Sequence, residues 1–237
     1  MTRKQKIASL LKRIQFLDLS AFVATPRADR ENEIRAYVDR TRGVFKSYEP
    51  FRKCVNGIYG VSLGLDPTPP LTGAKLEYAV RKTCEGKDEG MNLSAAFALV
   101  DLLSSSSAFS AYHHVERSLP LGTDRRCAFR IEHYLVRDGE AIFQFPYPRR
   151  KRLSDHQLHT MMSLIHFAYA TGDYSDAAVE IADLSAEQDY IYLDGRREQG
   201  PRCPRIVTMP AKGPLSREML QEEVQNVHDI LMRLSEE

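Results

Sequence analysis

The segment from Ser154 to Gly172 specifies its structure more clearly than any other part of the chain. Gln157 follows Ser154 at the spacing of a capping box, in which each side chain accepts a hydrogen bond from the other residue's backbone amide. Apolar side chains then recur at helical spacing, at Leu158, Met161, Met162, Ile165 and Ala168. Gly172 supplies a C-terminal stop. We therefore predict a long helix here, with the rest of the chain packed around it.

The first 105 residues carry the signals of a helical region, because apolar positions repeat with a helical period between turn residues. Helices are expected over residues 3–17, from Asp29 to Tyr48, over 51–58, after Thr72 and after Asn92, with Asp29, Thr72 and Asn92 as N-caps. The first of these is amphipathic. It could lie on a membrane surface, but we favour docking on its own domain.

Beyond Arg126 the sequence becomes typical of strands. Residues 127–136 are rich in aromatic and branched side chains, and Asp138-Gly139 is a two-residue turn that favours a type I′ hairpin with a return strand over 141–145. In that register Leu135 faces Ile142 and Tyr134 faces Phe143. Further strands are predicted over 179–184, 190–193 and 206–209, whereas residues 196–205 are predicted to form a polar loop.

The order of these elements predicts an α+β fold. A helical N-terminal region would be followed by a mixed or antiparallel sheet of about five strands, flanked by two long helices, the second of them capped by Ser216. We assign residues 1–105 to the helical region and 106–237 to the α+β region. The two could form one continuous domain, since no long flexible linker separates them.

Composition limits the class of protein. Hydrophobic residues make up 43% of the chain, enough for a substantial core, but no apolar run approaches the roughly 20 residues of a membrane span. We therefore expect a cytoplasmic protein with no membrane span. The four cysteines have no paired spacing, so reduced thiols are expected instead of a disulfide framework or a zinc cage.

The chain lacks the local motifs of common enzyme classes. It contains no Gly-x-Ser-x-Gly nucleophile elbow, no phosphate-binding loop and no dinucleotide fingerprint, so we expect no cofactor and favour a protein that is not an enzyme. His156, His159 and His166 on the long helix are possible metal ligands, although partly exposed or hydrogen-bonded histidines are the simpler interpretation. His113-His114 with Glu116 offers a general base and an orienting carboxylate, again without established geometry.

Two arginine clusters are the most suggestive feature. The net charge is only +1, but the sign of the charge alternates along the chain, and residues 153–194 contain eight acidic residues and no Lys or Arg. The candidate anion-binding or nucleic-acid-binding residues are Arg149, Arg150, Lys151, Arg152, Arg196, Arg197, Arg202 and Arg205, with Tyr147 as a ring that could stack on a base. The simpler interpretation is a solvated basic loop that pairs with the acidic segment.

Three hypotheses follow. The first is a non-enzymatic cytoplasmic protein that binds nucleic acid or another phosphate-rich partner through the arginine clusters. The alternative is a structural or regulatory subunit that binds another protein or a second copy of itself, and the third is a metal-dependent hydrolase. The pI near 7.7 lies below the value of about 9 typical of dedicated nucleic-acid binders. Whether the two clusters share one surface bears most directly on the first hypothesis.

Overall fold

The computed structural model describes residues 2–12, 14–39, 48–62, 68–84, 88–114, 119–120, 126–127, 131–188, 190–193 and 196–237. The helices in these ranges are α1 (Arg3–Lys12), α2 (Phe16–Ala24), α3 (Arg27–Asp39), α4 (Glu49–Tyr59), α5 (Gly73–Thr83), α6 (Glu89–Ser104), α7 (Asp155–Tyr169) and α8 (Arg217–Glu236). A 3-10 turn, Gly172–Tyr174, follows α7. The helical N-terminal region is confirmed.

The described strands are β1 (Ser110–His113), β2 (Leu119–Pro120), β3 (Arg126–Cys127), β4 (His133–Arg137), β5 (Glu140–Tyr147), β6 (Ala178–Asp183), β7 (Tyr190–Leu193), β8 (Arg196–Gln199) and β9 (Arg205–Thr208). Five of them form a mixed sheet in the order β1-β4-β5-β6-β9. β5 and β6 are parallel and are joined through α7, whereas the other three pairings are antiparallel. The predicted α+β fold is therefore confirmed.

Helices cover both faces of this sheet. On one face α1, α2, α3, α7 and α8 pack around Phe143 and Ile181. On the other face α4, α5 and α6 pack around Ile142 and Ala182. Alternate residues of β5 and β6 therefore enter opposite cores, as the pleat of a strand requires. Helices of the N-terminal region thus contribute to both cores.

The strongest local predictions are confirmed. The Ser154 side chain accepts from the Gln157 amide at 3.2 Å, and the Gln157 side chain accepts from the Ser154 amide at 3.0 Å. Asp138 and Gly139 both have positive φ, as a type I′ turn requires, and Leu135 pairs with Ile142. Each of these features depends on residues close together in the chain.

Several predicted boundaries are wrong. The expected helix over residues 3–17 ends at Lys12, and α2 begins at Phe16. α3 begins at Arg27, so Asp29 lies in its first turn instead of capping it, and the expected continuation over 40–47 lies outside the described residues. β4 begins only at His133, and β1 was not predicted. The expected polar loop over 196–205 contains β8, which pairs with β7, and the start of β9.

Asn92 does not cap α6, which begins three residues earlier at Glu89. Its side chain is buried, and its Oδ1 accepts a hydrogen bond from the Phe51 amide at 2.9 Å. That amide lies in the first turn of α4, where backbone donors have no partner within the helix. Asn92 therefore completes the N-terminus of a neighbouring helix, a tertiary role that its position in the sequence does not indicate.

Candidate functional site

The first arginine cluster, residues 149–152, lies in the connection between β5 and α7. This connection leaves the sheet at the carboxyl ends of the parallel strands β5 and β6, beside the N-terminus of α7. In open α/β sheets this is the edge at which ligands bind. The position agrees with the prediction that the cluster precedes a helix N-terminus.

The four residues of this cluster differ in their surroundings. Arg149 forms an ion pair with the carboxylate of Asp18 on α2, at 3.2 Å. Lys151 and Arg152 are exposed. Arg150 is only partly exposed, and its Nε and Nη2 atoms are buried with no hydrogen-bond partner among the residues that the structure describes. One side chain of the cluster is thus neutralised internally, whereas Arg150 is not.

Tyr147 is 3% exposed and belongs to the core on the α7 side of the sheet. Its hydroxyl donates a hydrogen bond to the Lys151 carbonyl at 3.0 Å. A base cannot stack on a ring whose faces are covered by the protein's own core. The role we expected for Tyr147 therefore does not fit its position, and its contact with Lys151 helps to fix the basic loop.

The second cluster is divided between strand β8 and positions with internal hydrogen bonds or ion pairs. Arg196 and Arg197 lie on β8, which pairs with β7. The Arg205 guanidinium donates to the carboxylate of buried Asp183 at 3.1 Å, across the β6–β9 pair. The Arg205 guanidinium therefore neutralises a buried charge. It is less available to bind an anion than the sequence suggested.

Arg202 ties together segments that are distant in sequence. Its guanidinium donates to the Ser94 hydroxyl and the Pro148 carbonyl, each at 2.9 Å, and also to the Leu184 carbonyl. A longer contact of 3.4 Å reaches the Tyr48 hydroxyl. All of these acceptors are uncharged. The guanidinium is hydrogen-bonded without being neutralised by any described residue.

The structure brings Arg150 and Arg202 together. The Arg150 carbonyl accepts from the Ala186 amide at 2.9 Å, and Ala186 in turn forms an antiparallel bridge with Arg202. Burial lowers the pKa of Arg202, Tyr48 partly opposes this effect, and the positive charge of Arg150 adds the smallest lowering. At least one member of each predicted cluster thus lies at the same edge of the sheet.

The histidines of α7 have different surroundings. Nε2 of His159 is hydrogen-bonded to the Gly213 carbonyl at 2.8 Å, and burial lowers the pKa of His166. His156 is exposed. Within the described part of the chain, no three His, Cys, Asp or Glu side chains are grouped so that they could hold a metal ion. Of the other suggested set, His113 is exposed, His114 is buried among aromatic rings and Glu116 lies outside the described residues.

A buried polar network between α4 and the sheet was not predicted. The Gln144 side chain donates to Glu180 at 2.7 Å, and Arg137 donates to the same carboxylate at 2.9 Å. Near it, Nδ1 of buried His133 is hydrogen-bonded to the Asn56 side chain at 3.0 Å. Polar residues at alternate strand positions normally indicate a solvent face, so the sequence pattern alone would have placed these side chains in water.

The fold and this site define a class of protein, an α+β protein in which Arg150 and Arg202 meet, through backbone contacts with Ala186, near the carboxyl ends of a parallel strand pair. No helix of the described residues is long and apolar enough to cross a membrane. A family model described as the sliding clamp-binding bacterial toxin SocB matches residues 17–203. The chain therefore belongs to the SocB family. No curated protein and no solved structure matches the chain.

Proposed function

We propose that this chain is a bacterial toxin that acts by binding a sliding clamp. The observation that carries the proposal is the family match over residues 17–203, which includes α2 to α7, most of the mixed sheet and both arginine clusters up to Arg202. The partner is then a protein, which was the alternative hypothesis from the sequence. A clamp partner also agrees with the cytoplasmic location expected from the sequence.

The leading hypothesis, nucleic-acid binding, gains no support from the family match, and the arginine geometry argues against it. Arg149 and Arg205 are paired with carboxylates of the same chain, and Arg202 is bound to internal acceptors. Tyr147 is covered. Of the predicted anion-binding residues whose side chains the structure describes, Lys151 and Arg152 are exposed, a small number of cations for a phosphate backbone whose binding depends on many charge contacts.

The proposal is tested by mixing the purified chain with the purified sliding clamp of the bacterium that encodes it. We expect a complex that elutes earlier than either protein in size-exclusion chromatography with multi-angle light scattering. The same experiment on the chain alone reports whether it forms a homo-oligomer, the other partner that the alternative hypothesis includes. Two separate peaks at concentrations of tens of micromolar would contradict the proposal.

Toxicity requires a second measurement in cells. Induced expression of the chain in that bacterium should slow growth, and raised expression of the clamp should relieve the effect if the clamp is the target. Growth that stays slow at every clamp level would mean that the toxicity has another cause. A catalytically inactive variant is not needed as a control, because the proposed action is binding.

A further inference from the structure

Three tyrosine side chains adjoin one another at the β1 edge of the mixed sheet. Tyr112 and Tyr134 lie directly opposite each other on β1 and β4, and their rings stack with centroids 5.6 Å apart. Tyr174, on the 3-10 turn after α7, lies against Tyr134 with ring centroids 5.1 Å apart. Tyr112 is 40% exposed, and the other two are partly exposed. These three side chains form a continuous surface, here called the tyrosine patch.

The core of the protein holds the tyrosine patch in place. The ring of Tyr174 lies 5.2 Å from that of buried His114 and 5.5 Å from that of buried Phe143. Side chains that are already fixed lose little conformational freedom when a partner binds. Tyrosine is also one of the residues that contribute most to binding at protein interfaces. The patch therefore has the properties of a preformed binding surface.

Other exposed rings do not share this arrangement. Tyr78 on α5 is 68% exposed and Phe97 on α6 is 36% exposed, but neither ring packs on another ring in the part of the chain that the structure describes. Isolated apolar side chains are ordinary on protein surfaces, whereas adjoining ones mark interaction sites. The continuity of its three rings therefore distinguishes the tyrosine patch.

The charges on the turn that carries Tyr174 are negative. Asp173 and Asp176 flank this tyrosine, both are exposed, and neither forms an ion pair with a described residue. Residues 153–194 contain no Lys or Arg. A guanidinium group matches both features, because it stacks on aromatic rings and donates hydrogen bonds to carboxylates. An anionic partner such as nucleic acid would be repelled by the two carboxylates.

We propose that the tyrosine patch, together with Asp173 and Asp176, binds an arginine side chain of the protein partner. The proposal rests on the proposed function, since it takes that partner to be the sliding clamp. The guanidinium group lies over the exposed rings, where its charge interacts with their faces, and the two carboxylates beside Tyr174 neutralise it.

The arginine site is tested without the clamp, by NMR of the full chain with isotope-labelled tyrosine rings. The probes are an acetylated and amidated Gly-Arg-Gly peptide and the same peptide with citrulline, an uncharged analogue of arginine. Tyrosine-to-phenylalanine variants assign the signals. We expect the arginine peptide to shift the signals of the tyrosine patch and to leave that of Tyr78 unchanged. The citrulline peptide should bind about fivefold more weakly or less. Equal affinity of the two peptides, or an equal shift of the Tyr78 signal, would overturn the arginine site.

The part played by the carboxylates is tested by replacing them. The double variant Asp173→Asn with Asp176→Asn should bind the arginine peptide about threefold more weakly. The matched control, Glu187→Gln with Glu236→Gln, removes two exposed charges elsewhere and should leave the affinity unchanged. Equal weakening by the two double variants would overturn the assignment of Asp173 and Asp176 to the site.

The clamp as the source of the arginine is tested by its affinity for variants of the patch. Tyr112→Ser should weaken clamp binding about tenfold, whereas Tyr78→Ser, which also removes an exposed tyrosine, should change it less than about threefold. Because the Tyr112 ring also packs on β4, the Asp173 and Asp176 double variant, which keeps all three rings, provides a second measurement and should weaken clamp binding about threefold.

Unchanged clamp affinity in both patch variants would overturn the clamp as the source of the arginine, even if the arginine peptide binds. Failure of the unaltered chain to bind the clamp would instead overturn the proposed function, and the peptide result would still decide the arginine site.

Discussion

The Tyr59 hydroxyl donates a hydrogen bond of 2.6 Å to the side-chain oxygen of Gln144, deep between α4 and the mixed sheet. The Gln144 side-chain amide donates in turn to the Glu180 carboxylate, which also accepts from Arg137. Burial raises the pKa of Tyr59 far above its ordinary value, and the negative charge of Glu180 raises it further. The hydroxyl therefore stays a donor, and the chain of hydrogen bonds has a fixed direction from α4 to β6.

This direction predicts the effect of changing Glu180. In Glu180→Gln, a neutral amide replaces the carboxylate that accepts from both Gln144 and Arg137, so Arg137 loses its ion pair. We expect the free energy of unfolding to fall by about 2 to 3 kcal/mol, below the full value for a deeply buried pair because Arg137 is partly exposed. Urea denaturation measures the change, with Glu140→Gln at the exposed first residue of β5 as the control. Equal midpoints for the two variants would show that the network does not stabilise the fold.

His133 predicts a dependence of stability on pH. Its ring lies against Tyr59 with centroids 4.4 Å apart, and burial lowers its pKa to about 4. The unfolded chain binds a proton at this residue below about pH 6.5, whereas the folded chain does not until about pH 4, so stability falls as the pH falls through this range. The contribution is about 3 kcal/mol in total, from about 1.4 kcal/mol per pH unit.

The measurement compares the unaltered protein with His133→Gln by chemical denaturation at pH 7 and at pH 4.5. The stability of the variant should fall less between the two pH values, because the titrating group is gone. His156→Gln, which removes an exposed histidine of α7, should keep the steeper fall. Parallel pH profiles for all three proteins would mean that the interior does not exclude the protonated imidazole.

Replacing Asn92 should destabilise the fold through α4, a helix to which Asn92 does not belong. In Asn92→Ala, the Phe51 amide at the start of α4 loses its acceptor and becomes a buried, unsatisfied donor. We expect a loss of about 1 to 3 kcal/mol in the free energy of unfolding. Ser104→Ala, at the exposed end of the same helix, serves as a comparison and should change stability by less than about 0.5 kcal/mol. A similar small change for both variants would argue against the cross-helix cap.

The capping box of α7 predicts a smaller effect. Ser154→Ala removes the acceptor of the Gln157 amide and should lower the free energy of unfolding by about 1 kcal/mol. Ser154→Thr keeps a hydroxyl at the same position and should recover most of this loss. Thermal or urea unfolding of the two variants distinguishes a lost cap from a general effect of substitution. If Thr were as destabilising as Ala, the hydroxyl would not be the stabilising group.

Structural features that depend on residues close together in the chain were predicted correctly, whereas features that depend on distant residues were missed. Ser154 with Gln157 and Asp138 with Gly139 were predicted correctly, because each structure forms among residues a few positions apart. Asn92 was assigned to the wrong helix end because its acceptor role joins residues 41 positions apart. β8 was missed because its four residues, Arg196–Gln199, are all polar and lack a strand's hydrophobic pattern.

The candidate site shows the same division. The position of Arg149 to Arg152 ahead of a helix was readable from the capping box, but their pairing was not. Arg202 lies 52 positions from Arg150, and the backbone contacts of both residues with Ala186 bring them together only in the folded chain. The sequence therefore predicted two basic clusters, whereas the structure binds Arg149, Arg202 and Arg205 internally and leaves Arg152 exposed.

The most direct test of a protein partner is isothermal titration calorimetry of the unaltered chain with the sliding clamp, and with a short DNA duplex, at near-physiological salt. We expect saturable binding to the clamp with a dissociation constant in the micromolar range or tighter, and no measurable heat of binding to the duplex. Binding to the duplex but not to the clamp would contradict the central claim that this SocB-family chain acts through a protein partner.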